Sequence, residues 1–141
     1  YVLEESYDID IHVAGHSLGG AMATICAKRL DEELDNVCGL YTFGSPRVGN
    51  KKFVDNLVVK HYRWRNNNDL VSTVPFWIMG FRHHGTEHYL NAYGKLRTHT
   101  GWQRFKDRWR GIWMGLKQGK IDNFSDHNIG DYIKHIGNLH S

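Results

Sequence analysis

The chain has 141 residues and a formal net charge of +3, and 40% of the residues are hydrophobic, 23% charged and 13% aromatic. This length is enough for one domain with a buried core, and no segment approaches the roughly 20 consecutive apolar residues that a membrane-spanning helix needs. Because the net charge is small, nothing in the composition calls for a nucleic-acid partner.

The first half of the sequence alternates between strand and helix patterns. Ile9, Ile11 and Val13 alternate with polar residues, which indicates a strand, whereas the apolar residues that follow recur at helical spacing without a proline. The elements predicted for this half are, in chain order, a strand at residues 9–13, a helix at 19–30, an acidic surface connection at 31–35, a strand at 37–43 and a short helix at 50–57 capped by Asn50. Cys26 on the helix and Cys38 in the second strand are predicted to be small buried hydrophobic residues rather than a disulfide pair.

The second half continues with shorter patterns. Residues 58–65 alternate again and predict a third strand, and the Asn-Asn-Asn-Asp sequence after it predicts a turn. The remaining predicted elements are a loop at residues 76–82, a fourth strand at 87–92, a helix at 105–116 and a last helix at 125–137. Strands that alternate with helices predict a single α/β domain with a mostly parallel sheet covered by helices on both faces.

Residues 15–19 read Gly-His-Ser-Leu-Gly and match the G-x-S-x-G pattern that presents a nucleophilic serine. The motif lies between a predicted strand and a predicted helix, where a sharp turn lifts the Ser17 hydroxyl clear of the sheet. Side chains two positions on either side of the serine would collide in such a turn, which is the expected reason for Gly15 and Gly19. Ser17 is therefore the predicted nucleophile, and the backbone N–H of Leu18 is predicted to face the developing oxyanion.

A serine nucleophile needs a histidine as base and a carboxylate that orients the histidine, in the chain order Ser, Asp, His. Asp69 follows the third predicted strand and is the predicted acid; the alternative is an aspartate that only stabilises the turn. His127 precedes the last helix pattern and is the predicted base. His99 is the main alternative, because His135 falls inside the helix pattern and His140 lies at the extreme end of the chain.

Five blocks of sequence stand in order along the chain: residues 15–20 (GHSLGG), 42–50 (TFGSPRVGN), 68–71 with Pro75, 84–89 (HGTEHY) and 126–127. Together they resemble the class 3 lipases, the fungal-lipase-like branch of the α/β hydrolases. The resemblance implies a partial α/β-hydrolase fold, with residues 1–141 as the carboxy-terminal part of a single domain of this kind. It implies Ser17 as nucleophile, Asp69 as triad acid, His127 as base and Leu18 as one oxyanion-hole donor, with a structural role for residues 44–50.

The same resemblance implies serine-dependent hydrolysis of carboxylic esters, with acylglycerols as substrates and no need for a metal or cofactor. The expected partners are a lipid or ester substrate and a lipid–water interface, and not a nucleic acid. The family's amino-terminal half has no counterpart here, so we expect the chain to be part of a longer sequence and to be poorly soluble or inactive alone. The alternatives are a catalytically silent binding module on the same fold and an acyl hydrolase of phospholipids or monoacylglycerols.

Two other features of the sequence are candidates for a site. His83, His84 and His88 are clustered, but no carboxylate or cysteine pattern accompanies them, so a metal site is not expected. Residues 76–79 and Phe81 are apolar and follow the acid, which makes them candidates for an acyl-chain pocket. The aromatic and basic residues 102–116 are predicted to pack on the sheet, with a lipid surface as the alternative.

Overall fold

The structure is a computed structural model that describes residues 9–66, 69–91, 95–97 and 127–139. The strands are β1 (Ile11–His16), β2 (Val37–Phe43), β3 (Gly49–Asn50), β4 (His61–Asn66), β5 (Phe81–Arg82), β6 (Thr86–Leu90) and β7 (Leu96–Arg97). The helices are α1 (Leu18–Leu34), α2 (Lys51–Asp55) and α3 (Ile129–Gly137), and 3-10 helices span Val71–Thr73 and Trp77–Met79. The helix predicted at residues 105–116 lies outside the described residues.

Five of the described strands form one sheet in the order β1-β2-β4-β6-β7. The pairs β1–β2, β2–β4 and β4–β6 are parallel, and β6–β7 is antiparallel. The predicted fold class, a mostly parallel α/β sheet, is confirmed. Because parallel strands end at the same edge of a sheet, Ser17, Gly44 and Asp69, which follow β1, β2 and β4, all lie along one edge.

Helices cover both faces of this sheet. The core on one face is formed by small residues of α1, apolar strand residues and the connection before β4: Ala23, Ala27, Val37, Leu40, Leu57 and Val59. His16 and Phe43 are paired across β1 and β2, and their rings contact Tyr132 of α3 at centroid distances of 6.0 and 6.1 Å. Since neighbouring residues of a strand point to opposite faces, α3 lies on the face opposite α1.

α1 buries a different face from the one that its apolar residues predicted. Its buried residues are Gly20, Ala23, Thr24 and Ala27. Met22 and Ile25 are instead 63% and 42% exposed. Small residues face the sheet because the helix approaches it closely: a Cβ added at Gly20 would stand 2.7 Å from the Cβ of Ser45. The prediction of a buried Cys26 was therefore wrong, since this cysteine is on the outer side of α1 and is exposed.

Cys38 and the acidic segment also depart from the predictions. Cys38 is exposed because burial alternates at the start of β2, where Val37 points into the core and the Cys38 thiol points to Asp10 Oδ1 at 3.2 Å. Residues 31–34 are not a connection but the last turn of α1. The helix ends at Asp35, whose backbone is left-handed (φ 51°) and whose N–H donates to the carbonyl of Asp31 at 3.0 Å.

The remaining boundaries shift by a few residues. The cap predicted at Asn50 is confirmed, because its side-chain oxygen accepts from the Phe53 N–H at 2.9 Å, although α2 ends at Asp55 rather than residue 57. β3 pairs antiparallel with β5 in a second small sheet, so the predicted loop at residues 76–82 contains a 3-10 helix and a strand. Among the described helices, none has the length and apolar character required to cross a membrane.

Candidate active site

Ser17 occupies the sharp turn between β1 and α1. Its φ is 56° and its ψ −131°, a backbone conformation that costs a non-glycine residue about 1–3 kcal/mol and is typical of functional sites. The turn is held because the Ser17 N–H donates to the Phe43 carbonyl at 3.0 Å, while the Ser17 carbonyl accepts from the Gly20 N–H at 2.9 Å. The hydroxyl is thereby presented at the carboxyl edge of the sheet.

The glycines of this turn have different roles from those predicted. A Cβ at Gly15 would overlap the backbone of Gly19 and stand 2.8 Å from the Gly20 nitrogen, so the predicted collision holds there. The collision predicted at Gly19 is wrong. Apart from its own turn of helix and its chain neighbours, no atom of the described residues lies within 4 Å of a Cβ added there. Gly20 is instead the second residue that must stay small, because it faces Ser45.

Asp69 is fully buried beyond the end of β4. Its backbone N–H donates to the Asn66 carbonyl at 2.9 Å. Its carboxylate accepts two further hydrogen bonds, from the Val71 N–H to Oδ1 at 2.9 Å and from the Tyr132 hydroxyl to Oδ2 at 2.6 Å. A buried carboxylate with this many donors is held in one orientation.

His127 joins the other two residues. Its Nδ1 lies 3.0 and 2.9 Å from the two carboxylate oxygens of Asp69, and its Nε2 lies 2.7 Å from Ser17 Oγ. Because a carboxylate only accepts, Nδ1 carries the hydrogen, and Nε2 then accepts the proton of the serine hydroxyl. The structure therefore brings the three predicted catalytic residues into one hydrogen-bonded chain, the arrangement of a Ser-His-Asp triad.

The other predicted site residues are placed as follows. Leu18 is the first residue of α1, so its N–H belongs to the helix end whose amides lack intrahelical acceptors. His135 lies on α3 and its Nδ1 is 3.3 Å from Asn66 Oδ1, away from Ser17. His99 and His140 lie outside the described residues.

Tyr132 and Gly44 are site residues that the sequence reasoning did not identify. Tyr132 lies within the predicted last helix at residues 125–137, and nothing in that sequence pattern points to a polar role. Burial, followed by the hydrogen bond to Asp69, raises the pKa of its phenol, so the hydroxyl stays protonated and donates to the acid. Gly44 has a φ of +57°, and a Cβ there would overlap the Asp69 carboxylate and stand 2.9 Å from His127 Nδ1. The signal in the sequence that could have pointed to Gly44 is the Gly-Ser-Pro turn after the second predicted strand.

The loop after β2 supports residues 69–75, which we call the acid loop, in agreement with the structural role expected for residues 44–50. The Arg47 N–H donates to the Val74 carbonyl at 2.8 Å, and its guanidinium donates to the carbonyls of Thr73 and Pro75. Arg47 thus holds the chain that follows Asp69. The apolar residues beyond, Phe76 to Met79, are exposed.

The clustered histidines point to separate neighbours. His83 donates from Nε2 to the Ser72 carbonyl at 2.7 Å, and the His88 ring stacks on Trp64 with centroids 4.8 Å apart. His84 Nδ1 lies 3.3 Å from Nδ1 of His61, a buried histidine of β4, and His61 Nε2 is hydrogen-bonded to the Thr42 hydroxyl at 2.8 Å. These contacts join residues 83–88 to β4 and to the 3-10 helix Val71–Thr73.

Acidification is expected to destabilise the fold through these histidines. Burial, with repulsion from His84, lowers the pKa of His61 to about 3, and burial, with the charge of Arg63, lowers that of His83 to about 2. The folded chain keeps both rings neutral, whereas the unfolded chain takes up protons below pH ~6.5. Stability is therefore complete above pH ~6.5 and falls as the pH drops toward 3, by about 1.4 kcal/mol per pH unit for each histidine.

Urea denaturation at several values between pH 7 and pH 4 measures this slope. His83→Gln keeps a donor for the Ser72 carbonyl but cannot titrate. Its unfolding free energy should therefore fall less steeply with pH than that of the wild type, by about 1.4 kcal/mol per pH unit. His12→Gln, the same substitution at an exposed position of β1, is the control. Equal slopes in His83→Gln and the wild type would contradict the prediction.

Comparison with known proteins gives matches to lipases. The family model described as Lipase (class 3) matches residues 1–79, more than half of the chain. A secreted mono- and diacylglycerol lipase of Fusarium solani is 42% identical over 83 residues, which cover 57% of this chain and 25% of that protein. A lipase of Rhizomucor miehei is 37% identical over 87 residues, which cover 57% and 24%. The chain spans about a quarter of the length of these relatives.

Solved structures agree with this likeness. A triacylglycerol lipase in which a serine protease triad forms the catalytic centre superimposes with a TM-score of 0.59 and 30% identity, covering 70% of this chain and 43% of that chain. A lipase from Rhizopus microsporus var. chinensis superimposes with a TM-score of 0.55 and 33% identity, covering 59% and 31%. Both likenesses are to α/β-hydrolase folds, consistent with the sheet and helices described above.

Proposed function

This chain belongs to the class 3 lipase family, and on that premise we propose that it hydrolyses carboxylic esters, with acylglycerols as substrates. The observation that carries the proposal is the hydrogen-bonded chain Ser17–His127–Asp69, with distances of 2.7 and 2.9 Å. In this proposal Ser17 is the nucleophile, His127 the general base and acid, and Asp69 the residue that orients the imidazole.

The reaction proceeds in two stages. Ser17 Oγ attacks the ester carbonyl carbon while His127 Nε2 takes the hydroxyl proton, and the Asp69 carboxylate stabilises the imidazolium that forms. The tetrahedral intermediate collapses, the alcohol leaves with the proton from His127, and an acyl-serine remains. Water, deprotonated by His127, then attacks the acyl carbon. The bond from this carbon to Ser17 Oγ breaks, the fatty acid leaves, and His127 returns the proton to Oγ, which restores the Ser17 hydroxyl.

The negative charge that develops on the ester oxygen needs donors close to Ser17. The N–H of Leu18 is one, because it belongs to the free amino end of α1, and the helix dipole adds a partial positive charge at the same place. Removing one such donor from an oxyanion site costs on the order of 10²–10³ in rate. We assign this role to the backbone N–H of Leu18; the exposed side chain of Leu18 takes no part in it.

The apolar surface next to the site supports an apolar acyl group. Ile78 and Met79 are 78% and 64% exposed on the 3-10 helix that follows the acid loop, and Leu18 is 68% exposed beside the nucleophile. Side chains of this kind suit an acyl chain delivered from a lipid–water interface. Two similar proteins are named for acylglycerol hydrolysis, one for mono- and diacylglycerols and one for triacylglycerols.

Covalent labelling tests the proposal. A fluorophosphonate probe phosphonylates only an activated serine, so we expect one adduct, mapped by mass spectrometry to Ser17, and none in Ser17→Ala. The unlabelled protein is then assayed on acylglycerols and phospholipids of defined chain length, and the hydrolysis rates rank the substrates. A folded wild-type chain without an adduct would indicate a catalytically silent binding module, and an adduct on another serine would overturn the assignment of Ser17.

A further inference from the structure

His16, the residue before the nucleophile, also contacts His127. Its Nε2 lies 2.8 Å from the His127 carbonyl oxygen, and the two imidazole rings are 4.7 Å apart with an interplanar angle of 30°. Because a carbonyl oxygen only accepts, His16 Nε2 carries the hydrogen and donates it. We propose that His16 is a positioning residue for the catalytic base, a role that rests on the function proposed for Ser17 and His127.

Two consecutive residues, His16 and Ser17, therefore bind His127 at two different places. The His16 imidazole binds the main chain of His127, and the Ser17 hydroxyl binds its side chain at 2.7 Å. These bonds join positions 110 and 111 residues apart in the sequence. A bond to the side chain alone leaves the backbone of His127 free to shift relative to the nucleophile, whereas a bond to both fixes the direction from which Nε2 approaches Ser17 Oγ.

The position of His16 is itself well determined. It is the last residue of β1 and is paired with Phe43 on β2. Its ring also meets the edge of Tyr132 at 6.0 Å, and the Tyr132 hydroxyl binds Asp69. His16 thus lies against both the base and the residue that holds the acid, and it connects the nucleophile's strand to the loop that carries His127.

The chemical requirement explains why such a contact affects the rate. His127 must take a proton from Ser17 Oγ and then deliver it to the leaving oxygen, so its Nε2 must stay within hydrogen-bond reach of both positions. Displacement of a reacting group by about 1 Å can cost on the order of 100-fold in rate. Loss of the His16 donor should therefore lower the rate of the chemical step and leave substrate binding nearly unchanged.

Two substitutions separate the hydrogen bond from the packing. His16→Phe keeps an aromatic ring against His127 and Tyr132 but removes the donor, whereas His16→Gln restores an N–H near the position of Nε2 without the ring. We expect the inactivation rate constant of the fluorophosphonate probe at Ser17 to fall about tenfold to a hundredfold in His16→Phe and to recover to within about threefold of wild type in His16→Gln. On a soluble ester, kcat should follow this order while KM stays nearly constant.

Controls distinguish this inference from the proposed function. His12→Phe, at an exposed position of the same strand, should label like the wild type. A wild-type chain that does not label would contradict the function itself. In that case the exchange rate of the His127 Nδ1 proton, measured by NMR, still tests the positioning role, since it should rise in His16→Phe and not in His16→Gln. A Phe variant that labels and exchanges like the wild type, or a Gln variant as impaired as Phe, would overturn the role of His16.

Discussion

Replacing Asp69 with asparagine is expected to reduce ester hydrolysis and Ser17 labelling by about 10⁴ while leaving the protein folded. The carboxylate accepts the Nδ1 hydrogen of His127 at 2.9 Å. An asparagine can place its NH₂ group there instead, and His127 would then accept at Nδ1 and carry its hydrogen on Nε2. An Nε2–H cannot take the proton of Ser17, so the nucleophile loses its base although every atom keeps its place.

The carbonyl oxygen of the asparagine still accepts from Tyr132 or Val71, so the buried loop keeps a partner. Asp35→Asn is the matched control: that residue is exposed and left-handed, a conformation that asparagine tolerates. Thermal unfolding of Asp35→Asn should stay near that of the wild type, and Asp69→Asn should lose about 1–3 kcal/mol, because one of the two donors to the carboxylate loses its acceptor. An Asp69→Asn protein that labels within about tenfold of wild type would exclude Asp69 as the triad acid.

Replacing Gly44 with alanine is expected to reduce labelling by at least about 100-fold. A methyl group on Gly44 would overlap the Asp69 carboxylate and stand 2.9 and 3.0 Å from Nδ1 and Cε1 of the His127 ring. The acid and base must therefore separate to admit it. The left-handed backbone at Gly44 adds a strain of about 1–2 kcal/mol for any side chain.

Gly80→Ala separates the collision from the strain. Gly80 is also left-handed, with a φ of +86°, but among the described residues its added Cβ meets no atom within 4 Å. Both variants should lose a similar amount of thermal stability from the backbone, and only Gly44→Ala should lose the labelling of Ser17. If Gly80→Ala is as inactive as Gly44→Ala, the loss comes from strain and not from displacement of the acid and base.

The fold class and the three residues of the hydrogen-bonded chain could be predicted because local patterns specify them. A strand, a glycine-bounded serine and a helix define the turn at Ser17, and the order of acid and base along the chain points to Asp69 and His127. Their catalytic roles stay predictions until they are tested. The cap at Asn50 was predictable for the same reason, since its partner Phe53 is three residues away.

Features that depend on how elements dock could not be predicted. The buried face of α1 is decided by how close the helix lies to the sheet. Small residues are therefore buried there, and the larger Met22 and Ile25 are exposed. The hydroxyl of Tyr132 reaches Asp69 only because α3 packs at a particular place on the opposite face. Periodicity reports which positions are apolar, and it does not report which of two apolar-looking faces a neighbour will cover.

The chain from Ser17 to His127 closes across 110 positions of sequence. Bringing together residues so far apart in sequence carries a loop-closure entropy cost, which the rest of the fold must offset before the contact adds stability. In the proposed function, the Ser17 hydroxyl is activated only in copies of the chain that have folded so that His127 lies beside it. If the proposed function holds, labelling of Ser17 by the fluorophosphonate probe should therefore measure the fraction of a sample in which the chain is fully folded.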